Sequence, residues 1–372
     1  MSSYHDIVCG VHNSVDNFFK SNFSNIHIRG PHLDASEIQK RPLMVISTHR
    51  SHIDYILIGI LLHKMGFKNL RFAAGDNLTG LPVIGPWFKS LGAFTVERDN
   101  GFERNYVRNL CRNVITMLEN REPVIVFPEG GRSYSGKAME IKSGVLGAAI
   151  LCQAKDLSDD VNLLIASVSY EFPPDLPWFG LLQKGKSLRR RSNNIFKRII
   201  GNGYYFGADI MAFLPMFFSR YTGKKFGDVY VDFNETVSVR SIVDIEKNLI
   251  RNARDEFSAH RVSMQKAGEV INKKFLSLFC ILPIHIVAIL IKGKLKVPIN
   301  QISENASSLL QFLSSENRNI EMLKSVSETK LVESGISQLL KLNAITINNY
   351  MIYTKNSDII NYFAAVIGEN WR

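Results

Sequence analysis

The chain has 372 residues, of which 45% are hydrophobic and 21% charged. This balance excludes a disordered protein and predicts one or two globular domains. Lys and Arg exceed Asp and Glu by 45 to 34, a net charge of +11, which favours an anionic partner such as a lipid surface or a phosphorylated substrate. No nucleic-acid-binding motif accompanies this charge, so we expect no nucleic-acid partner. The four cysteines are far apart in the sequence, which predicts reduced thiols rather than a metal site.

Strands and helices alternate through the first two-thirds of the chain. Continuous apolar runs predict strands at Pro42 to Ser47, Arg71 to Gly75, Ala93 to Glu97, Pro123 to Phe127 and Leu163 to Glu171. Helix-like segments lie between them, as at 102–120 and 138–154. Apolar strands alternating with helices indicate an α/β domain with a mostly parallel sheet. A last strand is predicted in DVYVDFNETVSV, where apolar and polar residues alternate more strongly. We expect this strand at the sheet edge.

The chain is expected to divide into three parts. These are an N-terminal helical segment over 1–40, an α/β domain over 41–243 and a wholly helical C-terminal subdomain over 244–372. The apolar segment Phe275 to Ile291 has seventeen residues and contains Pro283 and His285. It is short for a membrane span, and we expect a buried or interfacial helix. The polar N-terminus of mixed charge is not expected to be a secretory signal.

A glycine-rich basic loop follows a predicted strand at FPEGGRSYSGKA, Phe127 to Ala138. Such loops often bind phosphate through backbone N–H groups and basic side chains. Gly131 to Lys137 also fits the spacing G-x-x-x-x-G-K of a nucleotide P-loop, but Ala138 stands where that motif needs Ser or Thr. We therefore expect a phosphate site that is not a nucleotide site; the alternative is a solvated turn.

The segment THRSHIDYIL directly follows the first predicted strand and contains His49 and Asp54. On one helix these residues would be about 140° apart, so they meet only if His49 precedes the helix and Asp54 lies in its first turn. Ser51 as N-cap, three residues before Asp54, favours that helix start, and His52 is expected to have a structural role. An imidazole held by a carboxylate is a general base near neutral pH. The alternative is a helix cap beside a surface histidine.

No serine nucleophile is specified beside this histidine. The nucleophile is then expected to be a hydroxyl of the substrate, held by its phosphate at the glycine-rich loop and activated by His49. Attack on an activated acyl group would proceed in a ternary complex, without a covalent acyl-enzyme.

Four stretches resemble, in chain order, the acyltransferase blocks of the glycerolipid acyltransferase superfamily: HRSHIDYIL, GAFTVER, FPEGGRSYSGK and LLIASVSYE. EGGRS followed by a small residue, Gly and Lys is similar to the branch of bacterial membrane glycerol-3-phosphate 1-O-acyltransferases and dihydroxyacetone-phosphate acyltransferases. The resemblance covers about Pro42 to Val239, and YTKNSDIINYF is a weaker echo near the C-terminus. It implies an α/β fold in which a mixed sheet is flanked by helices, with a helical C-terminal subdomain.

The resemblance also implies roles for individual residues. His49 becomes the catalytic base and Asp54 its orienting partner. Binding of the phosphorylated acceptor is expected of Arg98, Glu129, Gly130, Gly131, Arg132, Ser133 and Lys137. No metal ligand and no cofactor are expected, since an acyl thioester is already activated.

Two positions depart from the family pattern. Glu97 stands where the similar branch tends to have another arginine, and Ile165 stands where the fourth block often has proline. Glu97 weakens the expected binding of the phosphate. Ile165 affects the expected contact with the acyl donor. For Arg98 the alternative role is a surface ion pair with a neighbouring carboxylate, which contributes little. For Glu129 the alternative role is a carboxylate at the N-terminus of a helix, and for Ser133 it is a helix cap.

The basic run Lys184 to Arg198 contains seven Lys or Arg residues beside apolar ones. It is expected to be either a solvated loop or an attachment to anionic lipid or acidic acyl carrier protein.

The expected activity is transfer of a fatty acyl group from acyl-CoA or acyl carrier protein to the sn-1 hydroxyl of glycerol 3-phosphate. The expected location is the cytoplasmic face of the inner membrane, bound peripherally or monotopically to its anionic surface. The alternatives are the same chemistry on lysophosphatidate, dihydroxyacetone phosphate or a specialised alcohol or amine, and a non-catalytic membrane-binding protein with this fold.

Overall fold

The structure, a computed structural model, describes residues 17–75, 92–96, 104–155, 160–182, 211, 216, 218, 219, 221–223, 225–368 and 371. A mostly parallel sheet flanked by helices is followed by a helical C-terminal region. The predicted fold class is therefore confirmed. The predicted boundaries at 40/41 and 243/244 stay predictions.

The large sheet contains eight strands in the described residues: β1 (Ile26–Arg29), β2 (Leu43–Ser47), β3 (Arg71–Gly75), β4 (Ala93–Val96), β5 (Val124–Val126), β6 (Asn162–Tyr170), β7 (Val229–Phe233) and β8 (Val237–Ser238). Their order is β1-β7-β6-β2-β5-β3-β4, with β8 beside β6. Strands β6, β2, β5, β3 and β4 are mutually parallel, whereas β7 and β8 run antiparallel to β6, and β1 runs parallel to β7. Each of the five predicted strands is present, with ends within one residue of those expected.

The apolar runs of the central strands arise because both faces of the sheet are covered. In β2, Leu43 and Val45 belong to the core on one face, and Met44 and Ile46 to the core on the other. Successive side chains of a strand point to opposite faces, so a strand buried on both faces must be apolar at every position.

Helices cover both faces of the sheet and form most of the C-terminal region. Their bounds are α1 (Ala35–Ile38), α2 (Asp54–Lys64), α3 (Arg104–Glu119), α4 (Ser143–Ala154), α5 (Val239–Ile242), α6 (Glu256–Ala259), α7 (Arg261–Leu278), α8 (Pro283–Ile291), α9 (Ile299–Ser315), α10 (Glu321–Lys324), α11 (Glu328–Lys341) and α12 (Ser357–Ala365). A short 3₁₀ helix, Leu176–Trp178, follows β6. The two predicted helices of the α/β domain correspond to α3 and α4.

One expectation about the sheet edge and one about the N-terminal segment are wrong. Strand β7 lies between β1 and β6 rather than at the edge, because the N-terminal segment expected to be helical contributes β1, which pairs with β7 in parallel. The polar alternation of β7 is explained by pairing: Asp232 is buried and accepts from Arg29 of β1 at 2.8 Å.

The sequence predicts a wholly helical C-terminal region. The structure shows that this region also contains a small antiparallel sheet. Its strands are β9 (Lys296–Pro298), β10 (Ile345–Asn348) and β11 (Met351–Thr354), in the order β10-β11-β9. They are only three or four residues long, too short for hydrophobic periodicity to distinguish them from loops.

The apolar segment Phe275 to Ile291 forms parts of two helices rather than one. Helix α7 ends at Leu278, and α8 begins at Pro283, because proline fits the first turn of a helix but not its interior. Most of α8 is buried against the C-terminal core, as expected of a buried helix. In the parts of the chain that the structure describes, no helix has both the length and the apolar character to cross a membrane.

Candidate active site

The candidate site lies where three neighbouring parallel strands end. Strand β2 leads into the turn of His49, β5 into the glycine-rich loop Phe127 to Ala138, and β6 ends at Tyr170. Carboxyl ends of parallel strands meet at one edge of a sheet and commonly carry binding sites. Residues far apart in sequence are thereby brought together.

His49 and Asp54 are in contact. The imidazole Nδ1 lies 2.9 Å from Asp54 Oδ2, with His49 in the turn before α2 and Asp54 as the first helical residue. The expected cap is wrong, because the Ser51 hydroxyl donates to Asp175 at 2.9 Å instead of capping α2. The backbone N–H of Ser51 does donate to Asp54, at 2.8 Å, so one of the two bonds of the expected capping pattern is present.

Asp54 is fully buried and accepts four hydrogen bonds. Its Oδ2 accepts from His49 Nδ1 and from the backbone N–H groups of Arg50 and Ser51, at 2.9, 2.5 and 2.8 Å. Its Oδ1 accepts from the Tyr170 hydroxyl at 2.6 Å. Burial, with the negative charge of Asp54 beside it, raises the pKa of Tyr170 well above its ordinary value, so this hydroxyl keeps its proton and donates. The carboxylate is thus held in a single orientation.

These contacts define the chemistry of His49. Since Asp54 is an acceptor, His49 Nδ1 carries the proton and Nε2 is left with the lone pair. Burial lowers the pKa of His49; Asp54 opposes this effect, and the charges of Arg132 and His52 add to it. The net shift is downward, so the ring is neutral at neutral pH. The imidazole is partly exposed, at 15%.

The glycine-rich loop is fastened to the turn of His49 by backbone bonds. The Ser133 N–H donates to the His49 carbonyl at 3.1 Å, and the His49 N–H donates to Glu129 Oε2 at 3.0 Å. The Ser133 hydroxyl donates to the Lys137 carbonyl at 2.6 Å, which closes the loop on itself. The candidate base and the candidate phosphate loop are therefore one rigid unit.

Glu129 and Ser133 are buried and engaged within the protein. Burial raises the pKa of Glu129, against the lowering effects of Arg50 and of the hydrogen bond from the His49 backbone. The Glu129 carboxylate joins the two loops and the Ser133 hydroxyl bonds within its own loop; the expected contact of both residues with the acceptor stays a prediction.

The remaining predicted loop residues differ in exposure. Gly130 and Lys137 are exposed and Gly131 is half-buried, as binding a ligand requires. Gly130 has a φ of +65°, a left-handed backbone conformation that favours glycine. Arg132 is 4% exposed, with its Nη1 3.5 Å from Asp175 and its guanidinium 5.4 Å from the centre of the Tyr134 ring.

The comparisons with known proteins agree with this geometry. Residues 25–170, which contain both loops and β6, match the family model described as Acyltransferase. This segment is therefore similar to acyltransferase domains.

The chain is similar to several curated relatives. It is 30% identical over 159 residues to the glycerol-3-phosphate acyltransferase of Hamiltonella defensa subsp. Acyrthosiphon pisum, covering 43% of this chain and 19% of that protein. It is 27% identical over 234 residues to the dihydroxyacetone phosphate acyltransferase of Bos taurus, covering 62% and 31%. It is 24% identical over 207 residues to the glycerol-3-phosphate acyltransferase of Actinobacillus pleuropneumoniae serotype 5b, covering 56% and 23%. The aligned part of this chain therefore spans from about a fifth to a third of these relatives' length.

Some predicted contributors to the acyltransferase domain lie outside the described residues. These are Arg98 and its neighbour Glu97, and the basic run Lys184 to Arg198. Their expected roles stay predictions. Within the described residues, no group of three or more His, Cys, Asp or Glu side chains is arranged to hold a metal ion.

Three residues of the candidate site were missed from the sequence. Tyr170 orients Asp54, Asp175 contacts Ser51, His52 and Arg132, and Arg50 donates from Nη1 to the carbonyl groups of Gly136 and Lys137, at 3.3 Å each. Arg50 lies inside THRSHIDYIL and Tyr170 inside LLIASVSYE, two stretches that the sequence singled out without giving these residues a role; Asp175 lies in neither. Asp175 is 123 residues from His52, a separation at which no local pattern identifies a partner.

Proposed function

We propose that this chain transfers a fatty acyl group from an acyl thioester to the sn-1 hydroxyl of glycerol 3-phosphate, giving lysophosphatidate for phospholipid synthesis. The observation that carries the proposal is the hydrogen bond from His49 Nδ1 to Asp54, in a turn bonded directly to the glycine-rich loop. The names of the relatives support a phosphorylated three-carbon acceptor.

In the proposed reaction His49 acts as general base. Its Nε2 takes the proton of the acceptor hydroxyl, the oxygen attacks the thioester carbonyl carbon, and the carbon–sulfur bond breaks as the tetrahedral intermediate collapses. The proton passes from His49 to the leaving thiolate. Asp54 holds the ring and stabilises its transient positive charge, as the carboxylate of a serine-hydrolase triad does.

The acceptor's phosphate is proposed to bind Arg132, the glycine backbone and Lys137, with Arg98 as a further contact. A guanidinium matches a phosphate with two parallel hydrogen bonds, and backbone N–H groups of a glycine-rich loop contribute others. The proposed reaction requires no metal or cofactor, because the thioester is already activated. Acyl-CoA and the acyl thioester of acyl carrier protein are both proposed as donors of the acyl group.

The protein is further proposed to work at the anionic, cytoplasmic face of the inner membrane. The net charge of +11 and the insolubility of long-chain acyl products in water support this location.

Dihydroxyacetone phosphate is a second candidate acceptor, because one relative with similar coverage is named for it. It carries a phosphate and a hydroxyl in the same relation as glycerol 3-phosphate, so the same loop and base would serve.

Thiol release from acyl-CoA and acyl carrier protein thioesters, measured with each acceptor, tests the proposal. We expect release that depends on glycerol 3-phosphate. Replacing His49 by Ala should lower kcat by roughly 10²- to 10⁴-fold, as loss of a general base does, with little change in the acceptor's KM.

The variant His27→Ala is a matched control. His27 also pairs with an aspartate, its Nε2 lying 2.9 Å from Asp228, but it is on β1, away from the site. Wild-type turnover in His49→Ala, or no turnover by the wild-type protein with either phosphorylated acceptor, would contradict the proposal.

A further inference from the structure

A second buried histidine–aspartate pair lies beside the first. His52 Nδ1 is 2.6 Å from Asp175 Oδ2, and the His52 backbone N–H donates to the same oxygen at 3.0 Å. The Ser51 hydroxyl donates to Oδ1 at 2.9 Å. Both ring and carboxylate are buried, at 7% and 1% side-chain exposure.

Asp175 also faces the arginine that is proposed to bind the acceptor. Its Oδ2 lies 3.5 Å from Arg132 Nη1, while the Tyr134 ring packs against the guanidinium from 5.4 Å. Burial alone would raise the pKa of Asp175, but the charges of His52 and Arg132 and the hydrogen bonds from His52 hold it below its ordinary value. The carboxylate is therefore a permanent negative charge between the two loops.

The position of Asp175 is set by the loop after β6. The loop is closed by hydrogen bonds from the Leu176 N–H to the Pro173 carbonyl and from the Trp178 N–H to the Asp175 carbonyl, at 3.0 and 2.8 Å. Phe179 anchors the loop in the C-terminal core, 5.0 Å from the Tyr362 ring and 5.5 Å from Tyr134. Asp175 contacts the turn of His49 and the glycine-rich loop, but its position is fixed by a third loop, the one after β6.

We propose that Asp175 is a positioning residue for the acceptor: it fixes the Arg132 guanidinium in the orientation that receives the phosphate. The inference rests on the proposed function. A guanidinium has five N–H donors in a planar fork, so one carboxylate can hold one side of it while other donors serve a ligand. The bonds from Asp175 to Ser51 and His52 tie the same carboxylate to the turn that carries His49, so phosphate and base keep a fixed separation.

A double-mutant cycle tests this coupling. Asp175→Asn removes the charge with little change in shape, and Arg132→Gln removes the proposed phosphate contact. Each is expected to lower kcat/KM for glycerol 3-phosphate by about 10- to 100-fold, mainly through KM. The double variant should be no worse than Arg132→Gln alone, because the carboxylate acts through the arginine. Each variant should also lose discrimination between glycerol 3-phosphate and glycerol, a loss that general destabilisation does not produce.

Asp232→Asn is the matched control, because Asp232 is another buried aspartate paired with an arginine, Arg29, at 2.8 Å. It should leave the preference for the phosphorylated acceptor unchanged. Should Asp175→Asn fail to fold, Asp175→Glu replaces it, since it keeps the charge but shifts the carboxylate by one methylene. It should then raise the KM for glycerol 3-phosphate and leave the KM for the thioester unchanged.

The possible failures are distinct. Additive effects in the cycle, or equal changes in both KM values, overturn the role of Asp175 while leaving an active wild-type acyltransferase. A wild-type protein that neither binds glycerol 3-phosphate in a calorimetric titration nor turns it over overturns the proposed function, and this inference with it.

Discussion

Opposing electrostatic effects act on the imidazole of His49. Burial and the nearby charge of Arg132 lower its pKa, and Asp54 raises it, with a net downward shift. A base must be unprotonated before it can accept a proton, so the protein remains competent below the pH at which an exposed histidine would be charged.

In a plot of kcat/KM against pH, the acid limb should accordingly have its midpoint below the ordinary pKa of a histidine. Arg132→Gln should move that midpoint to higher pH, because removing a positive charge makes protonation of His49 easier. Rate profiles of the two proteins against pH provide the measurement; ionisation of the substrate is common to both and cancels in the comparison.

Arg108→Gln is the control for this shift. Arg108 forms an ion pair with Asp255 at 2.8 Å and lies on α3 rather than in either loop of the site, so its loss should leave the acid limb in place. An unshifted or downward-shifted limb in Arg132→Gln would show that the arginine does not act on the base.

At the scale of elements, the glycine-rich loop between β5 and α4 owes its shape to the C-terminal helix α12. Gly136 has a φ of +76°, and a Cβ there would lie 1.9 Å from the Tyr362 carbonyl oxygen. Arg50 braces the same stretch through the carbonyl groups of Gly136 and Lys137. The glycine-rich loop is therefore packed between the turn before α2 and helix α12, although α12 lies beyond the segment that matches the family model.

Gly136→Ala should destabilise the protein by at least about 2 kcal/mol, because both the backbone conformation and the space exclude a side chain. It should also raise the KM for the acceptor, since the loop must move to relieve the contact. Denaturant unfolding and acceptor kinetics are the measurements.

Gly59→Ala is its counterpart within α2, where a Cβ would meet nothing within 4 Å. There alanine should be neutral or stabilising, by up to about 1 kcal/mol. If the two variants unfolded at the same denaturant concentration, the close approach of α12 to the loop would be disproved.

At the scale of the whole molecule, the C-terminal region and the α/β domain share their packing. Helix α7 places Met264, Ile271 and Phe275 in the core on one face of the large sheet, while Phe179 from the loop after β6 lies in the C-terminal core. The site is therefore completed by parts of the chain outside residues 25–170.

The C-terminal core also contains a buried histidine that should make stability depend on pH. His285 Nδ1 accepts from the Leu282 N–H at 2.9 Å, and burial lowers the pKa of His285 from 6.5 to about 3. Between these values the unfolded chain binds a proton that the folded protein excludes. Stability should therefore fall as the pH falls below 6.5, by up to about 1.4 kcal/mol per pH unit from this residue.

The comparison of wild-type protein with His285→Asn isolates this effect. Asparagine retains an acceptor near the Leu282 N–H but does not titrate, and it leaves a cavity that lowers stability at neutral pH. The free energy of unfolding of the variant should decline less steeply on acidification. Equal slopes for the two proteins between pH 6.5 and 4 would rule out His285 as a source of acid sensitivity.

Much of the site was predictable because its motifs are local. The turn of His49 and Asp54 combines a strand end, a helix start and a five-residue spacing, and the contact predicted from them is present at 2.9 Å. The glycine-rich loop was likewise predictable, since glycine and basic residues after an apolar strand have a direct physical meaning. The catalytic and binding roles of these residues stay predictions.

By itself the amino-acid sequence determined the α/β class, the central strands and the two loops that meet at their carboxyl ends, because each depends on periodicity or spacing within a short segment. Only the tertiary structure decided that Ser51 bonds to Asp175 rather than capping α2, that Tyr170 orients Asp54, and that Tyr362 lies against Gly136. These contacts join residues more than a hundred positions apart. They exist because the sheet order and the packing of the C-terminal helices bring those residues together, and no local pattern encodes that packing.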